Sequence, residues 1–361
     1  MSKEKNPRLG KAGGQALIEG IMMNGPEGAA LAVRHLPTGK IIVKPRQNKH
    51  LRDKSAFFGL PFIRGIVNFI ESMVLGYGCL MESATLSGSM ELTPEEQAEQ
   101  ESKLDKWLEK HFGPKMVAVI STISMILGLV ISFGLFVFLP AFIIKTLDVH
   151  FFGEFLKNHY LRPLCEGVIR IAIFLGYLAS VSQMKEMRRV FQYHGAEHKT
   201  IFCYESGAEL TVENVRKQVR FHPRCGTNFM FLVIIISILC SSLLAFILGQ
   251  FDGGVTIMNN ALLWSVIKIV IIPFVVGIGY EYIRYAGRHE NACTKVVSAP
   301  GLWLQRITTK EPDDSMIEVG IASLKAAVYN EYPPEMSEEA VTGKKQDEEA
   351  ADDDGSADAQ S

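Results

Sequence analysis

Two stretches of the chain, residues 116–144 and 227–251, contain no charged residue. A helix rising ~1.5 Å per residue needs about 20 apolar residues to cross the hydrocarbon core of a bilayer, and both stretches are longer. Backbone in lipid must satisfy its own N–H and C=O groups, so such runs are read as helices. Residues 164–184 and 261–280 complete a set of four spans. The predicted fold is mainly α, a four-span transmembrane helical bundle. Pro140 is expected to kink or end the first span. Glu166 and Arg170 stand four residues apart and are expected to pair on one helix face. Lys268 is expected to snorkel toward the interface, with a buried functional lysine as the alternative.

A fifth apolar stretch, residues 55–83, is less clear. Its Phe, Ile, Leu and Val side chains cover most of a helix, while Arg64, Asn68, Glu71 and Glu82 fall on one stripe. We read it as a membrane-associated helix that does not cross. Residues 1–54 form a small β-containing N-terminal region. Its short runs at 30–35 and 40–44 are separated by Leu36-Pro37-Thr38-Gly39, a turn signal. Residues 84–115 read as an acidic linker, and 281–334 as a C-terminal region with a helix over 312–329. Residues 335–361, rich in Asp, Glu, Ala and Ser, read as a disordered tail.

Lys and Arg set the orientation. The 185–226 loop holds eight, the 252–260 loop none, and the segment before residue 116 sixteen. Both termini and the 185–226 loop are therefore expected in the cytoplasm, with the chain in the cell membrane. The opening fifty residues are polar and basic and show no signal peptide. A net charge of −2 argues against nucleic acid as a partner. The expected partners are the lipid bilayer and other membrane proteins or a homo-oligomer. Six scattered cysteines read as free thiols rather than a disulfide framework.

The chemistry-bearing residues lie in these loops. Tyr193-His194-Gly195-Ala196-Glu197-His198 contains H-x-x-E-H. On a helix, His194 and His198 share a face and can hold one metal ion, with Glu197 as the general base acting on a water acidified by the metal. A catalytic zinc site takes three protein ligands, so two histidines are not enough. His222 and Cys225, an H-x-x-C pair before the 227–251 span, supply the next candidates. With all four ligands the site is closed and structural; with three, an open position remains. Imidazole and thiolate suit a divalent metal, zinc above all. Secondary candidates are Glu281, His289, Glu290 and Cys293 beyond the last span, with Cys203 a weaker one. Glu19 lies in the glycine-rich 13–23 segment, which either brings backbone against the histidines or makes a tight turn into a strand. All these clusters fall at one end of the predicted spans, where a bundle gathers them.

Gly13-Gly14-Gln15-Ala16-Leu17-Ile18-Glu19-Gly20-Ile21-Met22-Met23, Arg64-Gly65, residues 193–200, residues 222–228 and Pro300-Gly301-Leu302-Trp303-Leu304-Gln305 together resemble the YqhQ-like family of bacterial multi-pass membrane proteins. The resemblance runs from about Gly13 to Val328. It implies membrane location and an unknown function, labelled a predicted metal-dependent enzyme. Two functions stand against each other: a metal-dependent hydrolase at the cytoplasmic membrane face, and a non-catalytic scaffold or assembly factor with a structural metal or polar cluster. A transporter fits less well, because the spans hold few ionisable residues.

Overall fold

The computed structural model describes residues 6–46, 55–89, 123–124, 126–147, 161–251, 253–286 and 291–333. The 84–115 linker beyond residue 89, the start of the first span and the tail from residue 334 lie outside the described residues.

Four antiparallel strands form a meander in the order β1-β2-β3-β4: β1 Gly13–Leu17, β2 Gly20–Gly25, β3 Gly28–Arg34 and β4 Ile41–Arg46. The predicted 30–35 and 40–44 runs are β3 and β4. Between them Gly39 takes a left-handed φ of 69° that glycine adopts without strain. Side chains alternate across the sheet. Ile21, Met23, Ala30, Ala32 and Val43 share a core with Met316, Ile317 and Leu324. Leu17, Met22, Leu31 and Val33 meet Cys79, Leu75 and Leu80 on the opposite face. The register Ile21↔Ala32 and Met22↔Leu31 keeps the two sets apart.

The helices are α1 Ile63–Leu86, α2 Ile126–Leu147, α3 Leu161–Val181, α4 Lys185–Ser206, α5 Val212–Arg216, α6 Gly226–Leu248, α7 Gly254–Asn259, α8 Ala261–Ala286, α9 Ala292–Thr308 and α10 Asp314–Tyr329. The 312–329 expectation is met by α10, whose N-cap Asp313 accepts from Met316 N–H. Among the described residues, five helices rather than four are long and apolar enough to cross a membrane: α1, α2, α3, α6 and α8. Outward-facing Val130, Leu239 and Val270 are each more than half exposed, as a lipid-facing surface requires. The first half of α1 packs on α8, where Gly65 lies against Tyr280 and Gly277, and its second half packs on the sheet.

Of the two outcomes expected at Pro140, an end to the helix does not occur: it continues to Leu147. Two further expectations, for Arg170 and Lys268, are corrected. A π-helical stretch, Gly134–Phe138, precedes the proline. Pro140 has no N–H to give to the Phe136 carbonyl, and Arg170 Nε donates to that oxygen instead at 2.9 Å. Arg170, so engaged and also 3.2 Å from Ser237 Oγ, does not take Glu166 as its partner. Lys268 does not snorkel: it is buried and paired with Glu166, which Arg162 also approaches at 3.5 Å.

Candidate metal centre

The 185–226 segment opens with α4, a helix of polar sequence that is largely buried. It is covered by β1, by α10 and by the strap that joins α9 to α10. The strap runs so close that a Cβ on Gly195 would sit 2.0 Å from Lys310 O. Lys310 N–H in turn donates to Phe191 O at 2.8 Å. This contact fixes the helical turn that carries H-x-x-E-H.

His194 and His198 lie on one face of α4 with ring centroids 4.4 Å apart. His194 Nδ1 donates to Thr308 O at 2.8 Å, and His198 Nδ1 donates to Arg220 O. With those protons spoken for, both Nε2 atoms are left as acceptors, and His194 Nε2 lies 3.2 Å from Cys225 Sγ. The three ligand atoms of His194, His198 and Cys225 all fall within 4.8 Å of one another, close enough to share one metal ion. Backbone carbonyls that fix the ring and tautomer of a histidine are the usual second layer of a metal site. Cys225 is the N-cap of α6, its sulfur accepting from Thr227 N–H, so the sulfur sits at the positive end of the helix dipole.

Glu197 lies beside the trio, with Oε2 3.8 Å from His194 Nε2. It is only 5 % exposed. Burial pushes its carboxyl above the usual range, opposed by His194 and by a hydrogen bond from Gly14 N–H. Gly14 has no room for a side chain, since a Cβ there would lie 2.7 Å from Met23 Sδ and 3.0 Å from Glu197 Cγ. The glycine-rich segment therefore does bring backbone against the His-bearing helix. It also makes a tight turn, with Glu19 at a φ of 51° between β1 and β2.

The other candidates lie elsewhere. His222 is outside the trio. Its ring is 5.5 Å from that of His198, its Nδ1 accepts from Arg224 N–H, and its Nε2 faces Glu205 Oε2 at 3.7 Å. Glu19 is held by Arg189 and by Tyr193 OH, which donates at 3.1 Å. Glu281 pairs with Arg64 and ties the end of α8 to the start of α1. Cys203 donates to Glu209 O. His289, Glu290 and the Cys293 side chain lie outside the described residues.

Sequence reasoning missed the residues that hold the site in place. Gln305 bonds the backbone of His222 on both sides, accepting from its N–H and donating to its carbonyl, each at 2.7 Å. Glu205 pairs with Arg224 and accepts from Gly10 N–H. Burial works against the Glu205 carboxylate, but His222, the Gly10 amide and Arg224 outweigh it and hold its pKa below the usual value. A signal for Glu205 was present: Phe202 and Glu205 continue the stripe of His194 and His198 at helical spacing.

The profile of a family described as "Protein of unknown function (DUF1385)" matches residues 60–330. A relative described as "Uncharacterized protein YqhQ", from Bacillus subtilis (strain 168), is 33% identical over 326 residues, covering 90% of this chain and 93% of its own length. No solved structure matches.

Proposed function

The chain belongs to the DUF1385 family of proteins of unknown function, and from that premise and its side-chain geometry we propose that it is a multi-pass protein of the bacterial cytoplasmic membrane holding a divalent metal at the inner face, in the manner of a metal-dependent hydrolase. One observation carries the reading. Both His194 and His198 give their Nδ1 protons to backbone carbonyls, His194 Nε2 lies 3.2 Å from the Cys225 sulfur, and one ligand atom of each of the three lies within 4.8 Å of the others. A merely hydrogen-bonded pair of histidines has no need of that arrangement.

His194, His198 and Cys225 would hold the metal, and zinc suits two imidazoles and a thiolate. When bound, a divalent cation would supply Lewis acidity to a group beside it. Glu197 is placed to accept a proton there. Its desolvated surroundings keep its basicity above that of a surface glutamate, and Gly14 N–H fixes its direction. Thr308 and Arg220, through their carbonyls, fix the tautomer and orient the imidazoles.

Four spans, α2, α3, α6 and α8, fit this reading best. Arg64 ties the start of α1 to the inner end of α8, and the second half of α1 lies on the sheet, which supports a helix resting at the interface with both termini cytoplasmic. A second reading is favoured by burial: His198 is 1 % exposed, and the neighbouring 390 Å³ cavity touches none of the trio. A closed centre of that kind would serve as a structural clip in a scaffold.

Zinc-loaded full chain, assayed with 4-nitrophenyl decanoate and bis(4-nitrophenyl) phosphate, separates the two. The hydrolase reading expects turnover of one of these and a loss of at least 100-fold in Glu197→Gln with zinc content unchanged. Equal rates in wild type and Glu197→Gln, or no turnover of either by the zinc-loaded wild type, favour the clip.

A further inference from the structure

A cavity of 390 Å³ is lined by His222 and touches none of the metal trio. Its apolar wall is made by Leu232 of α6, Ile283 of α8 and Leu302 of α9, all near the ends of the bundle that adjoin the histidines. Its polar end is made by His222, Arg224, Glu205 and Lys295. Such a volume is within the ~300–1,000 Å³ of ordinary ligand sites, which combine apolar walls with a few convergent polar groups.

Three features of the polar end define what fits. First, His222 is 4 % exposed, and its Nε2 is buried without a hydrogen-bond partner. Arg224 N–H donates to Nδ1, so in the neutral ring the proton resides on Nε2, and the nearest acceptor, Glu205 Oε2, lies 3.7 Å away, beyond hydrogen-bond distance. Second, the negative charge of Glu205 is matched by Arg224 and by Gly10 N–H. Third, Lys295 is exposed at the rim and leaves the lining with one net positive charge. The cavity thus offers an unsatisfied donor and a net cation at one end and hydrocarbon at the other. Leu232 lies between one and two turns into α6, a helix apolar enough to span a bilayer, so the apolar end adjoins the edge of the lipid layer in that reading.

We propose that this cavity binds the head of an anionic amphiphile, its phosphoryl or carboxyl oxygen accepting from His222 Nε2 beside Lys295, and its chain lying against Leu232, Ile283 and Leu302. The site is separate from the metal centre and stands whether or not that centre is catalytic. Its occupant is a bilayer-derived molecule rather than a free anion, because more of the lining is apolar than an inorganic ion can use.

Native mass spectrometry of the full chain released from a non-ionic detergent, titrated with dodecyl phosphate, dodecanol and inorganic phosphate, tests it. Dodecyl phosphate is expected to saturate one site, with dodecanol and inorganic phosphate each at least tenfold weaker. Ser298 of α9 is half-buried and lines the cavity; Ser298→Trp, which fills the space, and His222→Ala are each expected to weaken dodecyl phosphate at least tenfold. Zinc content reports separately on the trio, and Ser298→Trp carries the test if His222→Ala does not fold. Unchanged binding in Ser298→Trp, or dodecanol binding as well as dodecyl phosphate, overturns the proposal. Inorganic phosphate binding as tightly as dodecyl phosphate overturns it too, in favour of a soluble-anion site.

Discussion

At the scale of single residues, the site is built by close approach as much as by ligands. Gly195 touches the carbonyl of Lys310 and has no room for a methyl group, whereas Gly176, in α3, faces open space. Gly195→Ala should destabilise the protein by about 1–3 kcal/mol, because a packed neighbour must move. Gly176→Ala should be neutral or slightly stabilising, as expected for alanine in a helix. Thermal melting of the two purified variants against wild type checks the contrast, and similar melts would contradict it. Glu205 gives a pH signature. Its pKa is held below the usual 4.5, so its stabilisation is present above that value and is lost as pH falls through the lower folded value. Wild type should therefore lose melting temperature below about pH 4.5 more steeply than Glu205→Gln. Parallel acid profiles would remove Glu205 from the account.

At the scale of elements, polar side chains tie helices together inside the protein. Gln305 of α9 joins the backbone of His222 to Asn228 of α6, and all three are buried. Gln305→Leu leaves those groups unsatisfied and should cost about 2–4 kcal/mol. It should weaken metal binding as well, since the same turn positions Cys225; a melt and a metal titration on one sample read both. In the bundle, Lys268 of α8 and Glu166 of α3 form a buried pair. Removing one partner strands a charge, so Lys268→Met should lower stability far more than the double variant Lys268→Met/Glu166→Gln. Equal losses would show that the pair is not coupled. This level also marks how much the sequence disclosed. Apolar runs located the long apolar helices, and two short runs split by a turn signal located β3 and β4, because both patterns are local. The partner choice of Glu166, Arg170 and Lys268 was not legible. It depends on which helices pack together and on the carbonyl that Pro140 releases in α2. The H-x-x-E-H spacing put His194, Glu197 and His198 together, and H-x-x-C offered Cys225, which the fold brings to the two histidines. That His222 turns away toward Glu205 follows from tertiary contacts that spacing does not encode.

At the scale of the whole molecule, the account places the sheet, α4, α10 and the metal trio together on the inner side of four spans. Thr256, in the short segment between α6 and α8, should then face outward, and Val219, between α5 and α6, should face the cytoplasm. Both are exposed. In intact cells a membrane-impermeant maleimide should label Thr256→Cys and spare Val219→Cys until the membrane is opened; the reverse pattern would invert the topology. The central claim is that His194, His198 and Cys225 hold a metal. Elemental analysis of purified full chain, wild type beside His194→Ala/His198→Ala, tests it most directly. The account expects one equivalent of a divalent metal, zinc foremost, in the wild type and none in the double variant. No metal above background in the wild type, or equal metal in both, would contradict it.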